Sequence, residues 1–159
     1  MDTNSRKVQY VKVMPVLAVG LFLALVADPA YATRFRIPVT LDGAQQVPPV
    51  VTAGTGTARL LLNTITRRIT GVVNFSGLSS ATLAGHVHRA PAGANGGVVI
   101  PLSGGLGVTS GRMTVNATLT AAQLRSLMTN KLYLNIHTVN FGNGEIRGQI
   151  RWARRVRLA

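Results

Sequence analysis

All three histidines of the chain lie in two short segments: His86 and His88 in Ala84-Gly85-His86-Val87-His88, and His137 in Tyr133-Leu134-Asn135-Ile136-His137-Thr138. Imidazole nitrogens suit zinc and copper, so the residue type points first to a transition-metal site. Residues two apart on a strand share a face with Cα atoms roughly 7 Å apart, so His86 and His88 project together while Leu83 and Val87 project the other way. Leu132, Leu134 and Ile136 likewise oppose Tyr133, Asn135 and His137. With the aliphatic sides toward a core, all three imidazoles occupy a non-core surface, and His137 on a neighbouring strand completes a facial set of ligands. Water, Tyr133 or Glu145 is the candidate for a further ligand. The same spacing equally permits hydrogen bonds from the rings to the backbone of the glycine-rich loop Pro91 to Gly97, tying it down.

Other chemistries are poorly supplied. The chain has 17 Lys+Arg against 4 Asp+Glu. Asp42 and Glu145 are the only carboxylates beyond residue 32, which disfavours mechanisms built on paired carboxyls, such as glycosidase or aspartic-protease catalysis. Asp42, next to Gly43, reads as a turn residue. Glu145, Arg147 and Gln149 share one strand face, so the spacing predicts a Glu145–Arg147 ion pair; alternatively Glu145 orients an imidazole through a hydrogen bond. The segment Ala92 to Gly97 lacks the Lys-Ser/Thr of a phosphate-binding loop and leads into a strand, so it reads as a plain loop. No G-x-S-x-G elbow is present, which argues against a serine hydrolase.

The histidine segments sit within a pattern of period-two alternation. Phe35 to Leu41, Gly56 to Asn63, Arg68 to Ser76, Thr82 to His88, Gly97 to Leu102 and Gly111 to Leu119 read as strands separated by Gly, Ser, Asn and Pro clusters. Lys131 to Thr138 and Gly144 to Trp152 read as two closing strands joined by the turn Asn140-Phe141-Gly142-Asn143-Gly144. One short helix is predicted near residues 120–129, with Thr120 as N-cap, Gln123 completing a capping box, and Leu124, Leu127 and Met128 as its apolar stripe. Trp152 continues the Ile146, Ile150 alternation and reads as core. Evenly spaced short strands imply an all-β sandwich or barrel.

The first 32 residues read as a cleaved Sec-type signal peptide. Arg6, Lys7 and Lys12 form a positive start, Val13 to Ala27 is apolar, and Ala30-Tyr31-Ala32 supplies the small residues of a cleavage site. The apolar run is shorter than the roughly 20 residues of a spanning helix, so no membrane span is expected after cleavage. Residues 33–159 then form one domain of ordinary size in the periplasm or outside the cell. Losing Arg6, Lys7, Lys12, Asp2 and Asp28 leaves 14 basic and 2 acidic side chains. The chain has no Cys, so stability must come from sheet packing.

Three blocks taken together resemble a known family. Val39-Thr40-Leu41-Asp42-Gly43-Ala44-Gln45-Gln46-Val47-Pro48-Pro49 comes first, then Gly85-His86-Val87-His88-Arg89-Ala90-Pro91-Ala92-Gly93-Ala94-Asn95-Gly96-Gly97-Val98-Val99. Tyr133 to Thr138 follows, with Gly144-Glu145-Ile146-Arg147-Gly148-Gln149 after it. In this order they resemble the chordin (CHRD) domain over about residues 35 to 151. The resemblance implies a Greek-key β-sandwich, immunoglobulin-like or superoxide-dismutase-like. It also implies kinship with animal chordins, where the whole protein binds secreted growth factors, and with exported bacterial proteins of unassigned role. The His-x-His strand before a glycine-rich loop is more weakly similar to the copper/zinc superoxide dismutase barrel. That enzyme uses more histidines than this chain owns, and its disulfide cysteines are absent here.

The expectation is therefore an exported, non-enzymatic binding module in which His86, His88 and His137 hold copper or zinc. The alternatives are a dismutase-like copper enzyme, or a cell-surface protein that binds anionic polymers by charge. The basic cluster Arg151, Arg154, Arg155 and Arg157 is the expected patch for anionic cell-envelope polymers, with an unknown protein ligand as the other candidate partner. Trp152 is assigned to the core, which leaves no base-stacking platform there and disfavours nucleic acid.

Overall fold

A computed structural model describes residues 34–152; the expected signal segment and Arg154, Arg155 and Arg157 lie outside the described residues. Eight strands follow in chain order: β1 (Arg34–Asp42), β2 (Thr55–Asn63), β3 (Arg68–Ser76), β4 (Thr82–His88), β5 (Val98–Pro101), β6 (Gly111–Thr118), β7 (Leu132–Thr138) and β8 (Ile146–Ile150). One helix, α1 (Ala121–Met128), separates β6 from β7. The strands form one antiparallel sheet in the order β5-β4-β7-β8-β1-β2-β3-β6. Its two ends meet where Ser103 and Thr114 exchange backbone hydrogen bonds of 3.0 and 2.8 Å, so the sheet curls into a nearly closed barrel. Across that seam β4, β5 and β6 lie side by side and β3 lies next to β6, the Greek-key arrangement. The all-β, sandwich-like expectation is met, with two walls, β1-β2-β3-β6 and β5-β4-β7-β8, continuous through the β8–β1 contact. Among the described residues no helix is long and apolar enough to cross a membrane.

Alternation builds the core. Phe35, Ile37, Val39 and Leu41 of β1 point inward between exposed residues, and Ile37, Val39 and Leu41 share a cluster with Leu60 and Leu62, Val73, Met113, Leu134, Ile136 and Ile146. Each fully buried aliphatic side chain contributes about 1.5–3 kcal/mol relative to exposure. Phe35 and Trp152 close one end edge to face, with centroids 4.6 Å apart, as expected for a core tryptophan. Gly148 lets β8 lie close to β1, since a Cβ there would sit 2.5 Å from the Thr40 carbonyl oxygen.

Two local expectations need correction. Leu83 does not share the core side with Val87: the β4–β7 register shifts between Thr82 and Ala84, and Leu83 is 55 % exposed. Thr82 is buried in its place, its hydroxyl donating to the Gly105 carbonyl. On α1, Leu127 is buried and Leu124 partly buried, but Met128 is 38 % exposed, because the helix ends there and the chain turns at Asn130, whose φ is +57°. The capping box forms as expected: Thr120 Oγ1 accepts from the Gln123 amide, and Gln123 Oε1 accepts from the Thr120 amide. Thr120→Ala is expected to lower stability by about 1 kcal/mol, read as a reduced urea midpoint with unchanged slope.

Candidate metal centre

Strands β4 and β7 pair with Ala84 opposite His137, His86 opposite Asn135 and His88 opposite Tyr133. Val87, Leu134 and Ile136 therefore enter the core, and the three imidazoles stand together on the other side of the sheet. One ligand nitrogen from each ring lies within 4.8 Å of the others. A point within roughly 2.8 Å of all three nitrogens therefore exists, against zinc–nitrogen bonds of ~2.0–2.1 Å. The three imidazoles cluster on the face that the alternation implied, close enough together that they could hold a metal ion.

The outward nitrogens are committed. His88 Nδ1 is 2.9 Å from the Gly96 carbonyl oxygen, and His137 Nδ1 is 2.9 Å from the Gly142 carbonyl oxygen. A carbonyl only accepts, so each Nδ1 carries a proton. In the neutral rings both Nε2 atoms are then lone-pair acceptors, and they face each other at 3.3 Å. The Nδ1 of His86 is buried with no hydrogen-bond partner among the described residues. Burial pushes the pKa of all three below the ordinary imidazole value; on His88 and His137 the carbonyl bonds oppose this without reversing it. The His88 and His137 Nε2 lone pairs face each other, and a His86 nitrogen lies within 4.8 Å of both, a donor set that could hold a metal ion.

The surrounding residues hold the rings in place. Tyr133 stacks on His88 at 5.0 Å with 12° between the planes, and the Arg147 guanidinium lies 3.6 Å from the centre of the same phenol ring. Because β7 runs between β4 and β8, the phenol is flanked by His88 on one side and Arg147 on the other. Arg147, 1 % exposed, donates to the carbonyls of Ala94 and Pro91 and to Gln149 Oε1 at 2.9–3.1 Å. With the Gly96 amide donating to the Tyr133 hydroxyl, this ties the loop 91–97 over the face. The loop-anchoring role foreseen for the histidines is thus also present, through His88.

The expected Glu145–Arg147 pair does not form, nor does Glu145 orient an imidazole. Glu145, 0 % exposed, accepts from the Thr52 hydroxyl and the Ser79 amide on one oxygen, and from the Ser79 and Thr138 hydroxyls on the other, at 2.5–2.9 Å. Arg147 is turned instead to the 91–97 carbonyls. Sharing a strand face placed the two charges side by side in sequence, but each finds nearer partners in the segment that covers its own end of β8. Asp42 behaves as the turn residue expected, its carboxylate accepting from the Gln45 amide at 2.9 Å. Arg151 is exposed just past β8.

An open cleft of about 880 Å³ reaches His88 and His137 between the segments 46–51, 95–96 and 140–144. The sequence assigns no role to Gln46 or Asn135, which meet at 2.6 Å and line the cleft, or to the hydroxyl cradle of Thr52, Ser79 and Thr138. The only available signal was an amide at an outward β7 position flanked by Tyr133 and His137.

Neither the curated proteins nor the solved structures contain a significant match to the chain. The family model for the CHRD domain, by contrast, matches residues 37–150, a stretch that takes in all three imidazoles, the loop that His88 anchors and the strands that carry them. The chain therefore belongs to the CHRD domain family.

Proposed function

We propose that this CHRD domain is an exported binding module that holds one copper or zinc ion through His86, His88 and His137. The observation that carries the reading is the pair of Nε2 atoms 3.3 Å apart in rings that both keep their proton on Nδ1, where it is donated to a carbonyl. Two lone pairs in that position repel unless a cation or an extra proton stands between them, and the depressed pKa of each ring disfavours the proton. Copper and zinc both accept three imidazoles, and a fourth position left to water or to a molecule in the cleft is the arrangement of an open site. Arg147 and Tyr133 serve this reading by fixing the His88 ring, and the Gly96 and Gly142 carbonyls fix the tautomers.

The decisive experiment is metal analysis of protein purified from the periplasm, followed by titration of the apo protein with Cu²⁺ and Zn²⁺. About one equivalent bound per chain is expected. Less than about a tenth of an equivalent, with no gain on adding metal, overturns the reading. Superoxide turnover by the loaded protein, lost in His88→Ala, would move the assignment to a redox enzyme.

The pH dependence follows from the ring environments. Protons compete with metal only where the imidazoles titrate, and burial has moved that range below the ordinary value near 6.5. Apparent affinity is therefore expected to be level from neutral pH down to that value and to fall only below it. Competition with a chromophoric chelator across the range measures this.

A further inference from the structure

The wall β1-β2-β3-β6, opposite the histidines, carries five exposed arginines on its outer surface. Arg34 and Arg36 alternate along β1, Arg59 stands on β2 opposite Pro38, Arg68 opens β3, and Arg112 lies on β6 opposite Asn74. Diagonal neighbours such as Arg36 and Arg59 are roughly 8 Å apart at Cα. The set crosses four strands, a width of roughly 15 Å. Asp42 is the only acidic residue in these strands, and it is occupied by the amide and side chain of Gln45 at the far corner. Arg68 donates to Asn116 Oδ1 at 2.7 Å. None of the five forms an ion pair among the described residues.

Like charges on one pleated surface repel, so the array is matched by an anionic partner and not by the protein itself. The cations are all arginine, although the chain also has Lys7, Lys12 and Lys131. Guanidinium grips carboxylate and sulfate through two parallel hydrogen bonds, which ammonium cannot. Between the arginines the face presents mainly threonine and asparagine, such as Thr57, Thr70, Thr114 and Asn116, short neutral groups that hydrogen-bond hydroxyls. Phe35 and Phe75 point into the core and no other aromatic occurs in these four strands, so the face has no platform for stacking bases. We infer that this face binds a linear acidic polysaccharide, laid across the strands with its carboxylate or sulfate groups on the arginines. The inference is independent of the metal reading.

The test uses apo protein, with dextran sulfate as probe, neutral dextran and a single-stranded oligonucleotide of equal charge beside it, at two salt concentrations. Dextran sulfate is expected to bind best, more weakly at higher salt, and neutral dextran not at all. Arg36→Glu with Arg59→Glu should weaken binding at least ~10-fold. Arg125→Glu with Lys131→Glu makes the same change in net charge away from this face and should weaken it less than ~3-fold. Should the Glu pair melt early by circular dichroism, Arg36→Gln with Arg59→Gln replaces it and should still weaken binding more than the control pair. Equal losses in the two sets, stronger binding of the oligonucleotide, or no binding of dextran sulfate each overturn the inference.

Discussion

His137→Ala is expected to weaken copper and zinc binding by at least ~100-fold, equivalent to ~2.7 kcal/mol, while shifting the stability of the apo protein by no more than about 1 kcal/mol. The ring is only half-buried and its single backbone partner is Gly142 in the hairpin turn. Its removal costs that hydrogen bond but also relieves the confrontation with the His88 Nε2, so the two effects offset. His88→Ala should abolish metal binding equally but cost a further 2–3 kcal/mol or so, because a buried ring stacked on Tyr133 and bonded to Gly96 is lost with it. Chelator competition gives the first quantity and urea denaturation with chelator present gives the second. If the rings served only as loop anchors, both variants would bind metal as well as the parent, and only the stability difference would survive.

The second large effect falls on Glu145. Glu145→Gln is expected to destabilise the fold by about 3 kcal/mol, because it removes the charge on which four hydrogen bonds converge and turns one acceptor oxygen into a donor, leaving the groups that now donate to it to reorient or go unpaired inside a site closed to water. Burial by itself would raise the Glu145 pKa, but the hydrogen bonds from Thr52, the Ser79 amide, Thr138 and the Ser79 hydroxyl outweigh it and leave it below the ordinary carboxylate value. A carboxyl whose pKa is lower in the folded than in the unfolded chain contributes stability that is fully present above the unfolded value. That contribution is lost as pH falls through the folded one. The parent should therefore lose stability below about pH 4.3, and the Gln variant should lose most of that slope. Urea midpoints taken from neutral pH to pH 3 or so measure it; a parent that is as acid-sensitive as the variant contradicts the assignment.

Much of this molecule is legible in its sequence. Alternation located every strand to within two residues at either end, and Thr120 with Gln123 marked the helix start, because these are local signals set by backbone geometry. Alternation also put His86, His88 and His137 on the correct side of the sheet. It could not say what covers that side: Tyr133 and Asn135 are buried because segments near 46–50 and 91–97 fold over them, a long-range event with no local signature. The same reason explains Glu145 and Arg147, whose hydrogen-bond partners come from segments 53 to 93 residues away apart from Thr138 and Gln149. Leu83 was misplaced for a different cause, since an irregularity in β-pairing depends on the partner strand and leaves the period of its own strand intact.

The short seam at Ser103 and Thr114 has a bearing on how the sheet resists aggregation. An open eight-stranded sheet would offer two lateral rims of unpaired amides to any passing chain. Here the rims engage each other, which deprives fibril growth of its template. The weak point is then the two-bond closure itself, whose amides should exchange with deuterated solvent sooner than those of the β1–β2 ladder, marking where transient opening begins.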